Sequence, residues 1–156
     1  MKTEIISIGD ELLIGQTINT NASWMGQELN KIGVDVHQVT VITDNEQHIR
    51  KALDESRERV DLVLITGGLG PTKDDITKTT LADYFHTSLI ENEEVLAIIK
   101  ERLKARKLEM NELNRKQALV PENATVFLNN WGTAPGMWFE DKGTVFVSMP
   151  GVPGEM

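Results

Sequence analysis

The sequence predicts one α/β domain with three layers, α/β/α, around a mainly parallel sheet. The chain has 156 residues, which is enough for one hydrophobic core but not for two. Short β-branched runs alternate along it with segments of helical periodicity, and the run over residues 62–65 is apolar throughout, as in a strand buried on both faces. Because right-handed crossovers join such strands, we expect helices on both faces of the sheet.

Composition excludes several classes of function. The formal net charge is −8 and no stretch is basic, whereas nucleic acids and anionic membranes are bound by clustered lysine and arginine. The absence of cysteine excludes disulfides, thiolate catalysis and cysteine-ligated zinc. The first apolar run is too short for a signal peptide, and no apolar run is long enough for a membrane span. We therefore expect a cytoplasmic domain without nucleic-acid or membrane partners.

The first half of the chain predicts three strand–helix pairs. The strands are residues 5–8, 34–42 and 62–65. Asn21 is predicted to cap the first helix, and Asp44 with Gln47 resembles a capping box for the second. The third helix is expected to follow Asp74 and Asp75, with Asp74 as its N-cap.

The second half predicts two helices and two strands. A long helix begins after Asn92, with acidic residues near its start and basic residues near its end, which complements the helix dipole. A short helix is predicted over residues 111–119. Strands are expected near residues 137–139 and 144–149, separated by a polar turn at residues 140–143.

Four predicted loops should meet at one edge of the sheet, because ligands in such folds bind beyond the carboxyl ends of the strands. They are residues 9–21, 43–45, 66–75 and 150–156. In the third loop, Gly67, Gly68 and Gly70 leave backbone N–H groups uncovered before a helix, which favours an oxyanion or phosphate. Asp74 and Asp75 conflict with direct phosphate binding unless a divalent metal ion bridges the charges.

Other residues receive a structural interpretation. Asp10 and Glu11 taken singly could merely start a helical turn, and no Walker A, G-x-G-x-x-G or G-x-S-x-G pattern is present. The histidines have no metal-ligand spacing and are interpreted as surface or partly buried residues: His37, His48 and His86. The tryptophans are interpreted as core or interface aromatics rather than stacking platforms, which favours a homo-oligomer: Trp24, Trp131 and Trp138.

Taken together, four motifs resemble the N-terminal domain of CinA-type competence/damage-inducible proteins, within the molybdopterin-binding superfamily. They are Gly9-Asp10-Glu11-Leu12-Leu13-x-Gly15 with Thr20-Asn21, Gly67-Gly68-Leu69-Gly70-Pro71-Thr72-x-Asp74-Asp75, Gly132-Thr133-Ala134-Pro135-Gly136, and Pro150-Gly151-Val152-Pro153-x-Glu155-Met156. The resemblance covers essentially the whole chain. It implies a molybdopterin-binding-like fold and a metal-dependent ADP-ribose pyrophosphatase that produces AMP and ribose 5-phosphate.

Site residues follow from the resemblance and the loops together. Asp75 stands where the relatives have a functional aspartate, so Asp75 and Asp44 are the catalytic candidates, and Asp75 with Asp74 would hold Mg²⁺, Mn²⁺ or Co²⁺. The substrate is expected to be a small nucleotide. Its predicted binding residues are Gly67, Gly68, Gly70, Pro71, Thr72, Asp10, Glu11 and Asn21.

The sequence also departs from the family pattern. Members are usually longer and carry a C-terminal domain with nicotinamide-nucleotide amidohydrolase activity, which is not assigned to this chain. Because residue 156 falls within the fourth motif, residues 1–156 are expected to form a single domain truncated at its C-terminal end. Asn129-Asn130-Trp131 differs from the expected Asn-Pro pattern, which leaves the role of Asn129 open. The alternative function is a module that binds molybdopterin or a nucleotide without hydrolysing it.

Overall fold

The central element is a six-stranded sheet, seen in a computed structural model that describes residues 1–70 and 76–156. The strands are β1 Lys2–Ile8, β2 Asp35–Ile42, β3 Leu62–Thr66, β4 Leu89–Glu91, β5 Leu119–Pro121, β6 Thr125–Phe127, β7 Gly136–Asp141 and β8 Thr144–Met149. The sheet order is β2-β1-β3-β8-β7-β6, and β4 pairs with β5 separately. The pairs β2–β1, β1–β3 and β3–β8 are parallel, and β7 is antiparallel to both neighbours. The predicted mainly parallel sheet is confirmed.

Helices cover both faces of this sheet. They are α1 Asp10–Leu13, α2 Thr20–Lys31, α3 Glu46–Arg57, α4 Thr77–Tyr84, α5 Glu93–Ala105 and α6 Glu112–Lys116. On one face, Ile5 packs with Met25 of α2. On the other, Ile6 packs with Leu53 of α3 and Leu81 of α4, so the three predicted layers are present. Among these helices, none has the length and apolar character needed to cross a bilayer.

The strand register brings the carboxyl ends together. Ile8 is opposite Ile42, and Thr66 is opposite both Ser7 and Met149. The segments that follow β1, β2, β3 and β8 therefore leave the sheet side by side, as the sequence predicted for its four loops.

Two predicted helix caps are shifted by one or two residues. The N-cap of α2 is Asn19, whose Oδ1 accepts a hydrogen bond from Ala22 N at 3.2 Å, while Asn21 lies inside the first turn. The N-cap of α3 is Asn45, which accepts from two backbone N–H groups, so the capping box assigned to Asp44 is wrong. Neighbouring polar side chains compete for the cap, and the one that reaches the first-turn N–H groups takes it.

Helices α4 and α6 lie close to their predicted positions. Ile76 stands at the N-cap of α4 without a side-chain hydrogen bond, and the predicted N-cap role of Asp74 stays a prediction. Asp74 and Asp75 lie outside the described residues. The short helix α6 ends at Lys116 instead of continuing to residue 119, because Leu119 begins β5.

The tryptophans were interpreted as core or interface aromatics, and the structure tests the first of these. Trp24 is 52% exposed and Trp131 is 77% exposed, so neither belongs to the core, whereas Trp138 is half-buried on β7. The three histidines are exposed, in agreement with the surface interpretation: His37, His48 and His86.

Candidate functional site

A cavity of about 460 Å³ opens at the carboxyl ends of β1, β3 and β8. This volume is within the range of small-molecule sites. We call it the glycine-loop cavity, and its lining is Ile8, Glu11, Leu12, Thr17, Ile18, Asn19, Thr20, Asn21, Asp44, Thr66, Gly67, Gly68, Leu69, Gly70, Gly151, Val152 and Pro153. All four predicted loops contribute to it, so the expected meeting of the loops is confirmed.

The floor of the cavity is the loop that follows β3. Gly67 has a φ of +108° and a Cβ there would overlap the carbonyl oxygen of Ile8, while Gly68 has a φ of +67° and abuts the Thr77 side chain. Side chains are disfavoured at both positions by conformation and by space. Thr77 N donates to Gly68 O at 3.2 Å, which ties the loop to the start of α4. The glycine loop therefore lies directly against the N-terminus of α4.

Asn21 joins three parts of the cavity wall. Its Nδ2 donates to Thr66 Oγ1 at 3.0 Å and to Gly151 O at 2.8 Å, and Thr66 Oγ1 donates in turn to Pro150 O at 2.9 Å. Within the described part of the chain, Asn21 Oδ1 is buried and accepts no hydrogen bond. Asn21 thus lies at the predicted site, but it holds the turn after β8 in place instead of capping α2.

Two carboxylates line the glycine-loop cavity. Asp44 lines the cavity, and its Oδ1 lies 3.3 Å from the point where a Cβ on Gly68 would stand. Glu11 lines it too, and its Oε1 would lie 2.5 Å from a Cβ on Gly9, so the carboxylate folds back over that residue. Asp10, by contrast, is exposed at the start of α1 and is not part of the lining. Over residues 1–70 and 76–156, no group of three His, Asp or Glu side chains is arranged to hold a metal ion.

Four predicted site residues fall outside the described residues, namely Pro71, Thr72, Asp74 and Asp75. Their roles stay predictions.

Sequence reasoning missed the residues that support the site. Asn19 Nδ2 donates to Ser7 Oγ at 2.9 Å, which anchors α2 to β1, and Thr66 is the polar end of an otherwise apolar strand. Two asparagines spaced by two residues were the available signal, since one can cap the helix while the other points inward. Thr77, buried beside Gly68, had no local signal.

The motif at residues 132–136 lies next to this site. Asn129 Oδ1 accepts from Trp131 N at 2.9 Å and from Gly132 N at 3.0 Å, and Asn129 Nδ2 donates to Ala134 O at 3.0 Å. Asn129 therefore fixes the loop that carries Trp131. A Cβ on Gly132 would overlap the Glu155 carboxylate, so this loop packs against the segment after β8.

Comparison with known proteins assigns the chain to a family. Residues 4–156 match the family described as "Probable molybdopterin binding domain". The tungsten cofactor synthesizing protein MoaB from Pyrococcus furiosus superposes with a TM-score of 0.62 at 19% identity, covering 99% of this chain and 84% of that one, which shows a shared fold. The family match over residues 4–156 and the shared fold define a molybdopterin-binding-like domain.

Closer relatives narrow the assignment. The crystal structure of CinA from Thermoplasma acidophilum has a TM-score of 0.88 and 35% identity, over 99% of this chain and 90% of that one. A CinA-like protein from Flavobacterium psychrophilum is 51% identical over 157 residues, and one from Cytophaga hutchinsonii is 48% identical over 153. The chain belongs to the CinA-type family. It covers 38% and 37% of the length of those two CinA-like relatives.

Proposed function

We propose that this domain hydrolyses the diphosphate bond of ADP-ribose, or of a related nucleotide diphosphate, in a metal-dependent reaction. The products from ADP-ribose are AMP and ribose 5-phosphate. One observation carries the proposal: a glycine loop with two positive-φ residues, Gly67 and Gly68, faces the carboxylates of Asp44 and Glu11 in a single cavity. A glycine-rich backbone segment combined with hard oxygen donors suits a diphosphate with a divalent cation.

The backbone of the loop would hold the phosphate oxygens. Gly67 N donates to Met149 O at 3.3 Å, so the N–H groups after Gly67 are the ones that would face the diphosphate. The wall built by Asn21, Thr66 and Gly151 would position the rest of the ligand. Amides fixed in this way stabilise developing negative charge without rearranging during the reaction.

The carboxylates suit a cation better than they suit the bare anion. Asp44 and Glu11 offer oxygen ligands of the kind that Mg²⁺ and Mn²⁺ prefer, and the predicted ligands Asp74 and Asp75 would add to them. A divalent ion bound there would neutralise the diphosphate and lower the pKa of a coordinated water. Asp44 and Asp75 would orient this water. Hydrolysis then breaks one P–O bond of the anhydride, the water oxygen joins that phosphorus, and a proton is released.

The second candidate is a module that binds molybdopterin or a nucleotide without hydrolysing it. The match to a family described as molybdopterin-binding favours this candidate. The same loop and cavity would serve it, because holding an anion requires the amides but not a positioned water.

Release of AMP separates the two candidates. The protein is incubated with ADP-ribose and Mg²⁺, Mn²⁺ or Co²⁺, and AMP is quantified by chromatography, with EDTA in a parallel series. We expect AMP that disappears in EDTA and returns with excess metal ion. Undiminished activity in EDTA would show that the reaction does not require a metal ion. Ligand binding by calorimetry without any AMP would favour the binding module.

A further inference from the structure

We propose that a second cavity, beside the glycine-loop cavity, is a stacking subsite for a nucleobase with an exocyclic amino group, with Trp131 as the platform and Glu155 as the hydrogen-bond acceptor. The inference rests on the proposed nucleotide ligand and adds where its base binds. We call this cavity the tryptophan subsite.

The tryptophan subsite lies along the same edge of the sheet as the glycine loop. Its volume is about 320 Å³, and its lining includes Phe127, Trp131, Met149, Pro150 and Glu155. Since β7 is antiparallel to both β8 and β6, β6 runs parallel to β8 and ends at the carboxyl edge as well.

The segment after β8 separates the two cavities. Pro150 lines the tryptophan subsite, while its neighbour Gly151 lines the glycine-loop cavity. A ligand with its diphosphate at Gly67 and Gly68 can therefore extend along the edge, over this segment, toward Trp131. Such a ligand would occupy both cavities, each of which is modest in volume.

Trp131 is presented by a fixed loop. Its side chain is 77% exposed, although leaving an indole in water forgoes a large burial energy. The loop is nevertheless ordered by Asn129, which accepts from Trp131 N at 2.9 Å, and by the Arg102 guanidinium, which donates to Asn130 O. The backbone that carries the exposed indole is therefore held in place. A base can stack on such an aromatic ring, and this stacking contributes to affinity.

Glu155 determines which base can bind and which end of the ligand enters the tryptophan subsite. Its carboxylate packs on Gly132 and lines the tryptophan subsite beside Trp131. A carboxylate accepts hydrogen bonds and donates none, so it suits the amino group of adenine and repels a phosphate. The phosphates are thereby directed to the glycine loop and the base to Trp131.

Binding measurements test this arrangement without relying on turnover. Affinities for AMP and for ribose 5-phosphate are measured by calorimetry with the full chain and with Trp131→Ala and Trp131→Phe. Trp24→Ala is the matched control, because Trp24 is also exposed but lies outside the tryptophan subsite. We expect Trp131→Ala to weaken AMP binding about tenfold or more, from the lost stacking. Binding of ribose 5-phosphate should change less than about twofold, and Trp131→Phe should retain most of the AMP affinity.

The base-reading role of Glu155 is tested with AMP and IMP, since IMP has a carbonyl in place of the amino group. The wild type should prefer AMP, and Glu155→Gln should reduce this preference because its amide can donate to the carbonyl. Equal losses in Trp131→Ala and Trp24→Ala, an unchanged AMP affinity, or no AMP binding at all would overturn the inference. So would a change of oligomeric state in Trp131→Ala, seen by sedimentation, in place of a change in AMP affinity.

The two proposals fail separately. If the protein hydrolyses ADP-ribose but Trp131→Ala binds AMP as tightly as the wild type, the proposed hydrolase activity is supported and the tryptophan subsite is contradicted. If Trp131→Ala loses AMP affinity and the wild type releases no AMP from ADP-ribose, the tryptophan subsite is supported and the hydrolase activity is contradicted.

Discussion

Gly67 and Gly151 meet backbone to backbone at the carboxyl edge of the sheet: a Cβ on Gly151 would lie 3.0 Å from Gly67 Cα. The loops after β3 and β8 can approach this closely because neither residue has a side chain. The hydrogen bond from Asn21 Nδ2 to Gly151 O holds the second loop in that position. The cavity therefore presents backbone to its ligand on this side, and its shape depends on glycine.

Gly67→Ala should be strongly destabilising. The positive φ of +108° is strained for any L-residue, and the new Cβ would overlap Ile8 O. We expect a loss of about 2 kcal/mol or more in the free energy of unfolding, from the strain and the required backbone shift. Urea denaturation measures it. The control is Gly26→Ala within α2, where a Cβ meets no atom within 4 Å and a gain of about 0.5–1 kcal/mol is expected. Similar effects in the two variants would contradict this account of the loop.

An ion pair with Arg59 holds a buried carboxylate, Glu4, in the interior strand β1. Glu4 is fully buried in β1 and accepts from Arg59 at 2.7 and 2.9 Å, and this hydrogen bond raises the pKa of Arg59. Arg59→Met leaves the carboxylate buried without its cation, so we expect a loss of about 3–5 kcal/mol by urea denaturation. Arg50→Met, which removes a more exposed pair with Glu46, should cost less than about 1 kcal/mol. A cost for Arg59→Met as small as that for Arg50→Met would show that the pair stabilises little.

Lys78 should make stability depend on pH. Burial lowers the pKa of Lys78 to about 8, and its Nζ donates to Lys116 O at 2.9 Å. The unfolded chain, with a lysine pKa of about 10.4, binds more protons than the folded chain above pH ~8, so stability should rise with pH over this window. Thermal unfolding between about pH 8 and 9.5 measures the slope, below the range where tyrosine ionises. The slope should be smaller in Lys78→Met and unchanged in the exposed control Lys100→Met. A Lys78→Met slope equal to wild type would contradict the assignment.

The longer strands, the main helices and the meeting of the four loops could be predicted from the sequence because they depend on local patterns. The apolar run of residues 62–65 and the glycines after it were sufficient for a buried strand followed by a loop. Which polar side chain caps a helix was not predictable, since Asn19 and Asn21 differ only in contacts with distant strands. The strands β4, β5 and β6 have three residues each, too few for a period to show. Exposure of Trp131 depends on hydrogen bonds made by Asn129, which no periodicity indicates.

We predict self-association from the exposed aromatic surface. Trp24 is 52% exposed, which is costly for a small domain outside an interface. We expect sedimentation at tens of micromolar to give a mass above that of one chain, because closed symmetric assemblies bury such surfaces. A single species of 17.4 kDa would contradict this expectation.

We predict that Asp44, at the glycine-loop cavity, and Asp75 are both required for metal-dependent hydrolysis. The most direct measurement is the initial rate of AMP release from ADP-ribose with saturating Mn²⁺, for Asp44→Asn and Asp75→Asn. Asp35→Asn, an exposed change at the start of β2, is the control. Both site variants should lose about a hundredfold or more, the typical loss for a positioned catalytic group, with melting temperatures close to wild type, while the control keeps its rate. Wild-type rates in Asp44→Asn and Asp75→Asn would contradict the claim.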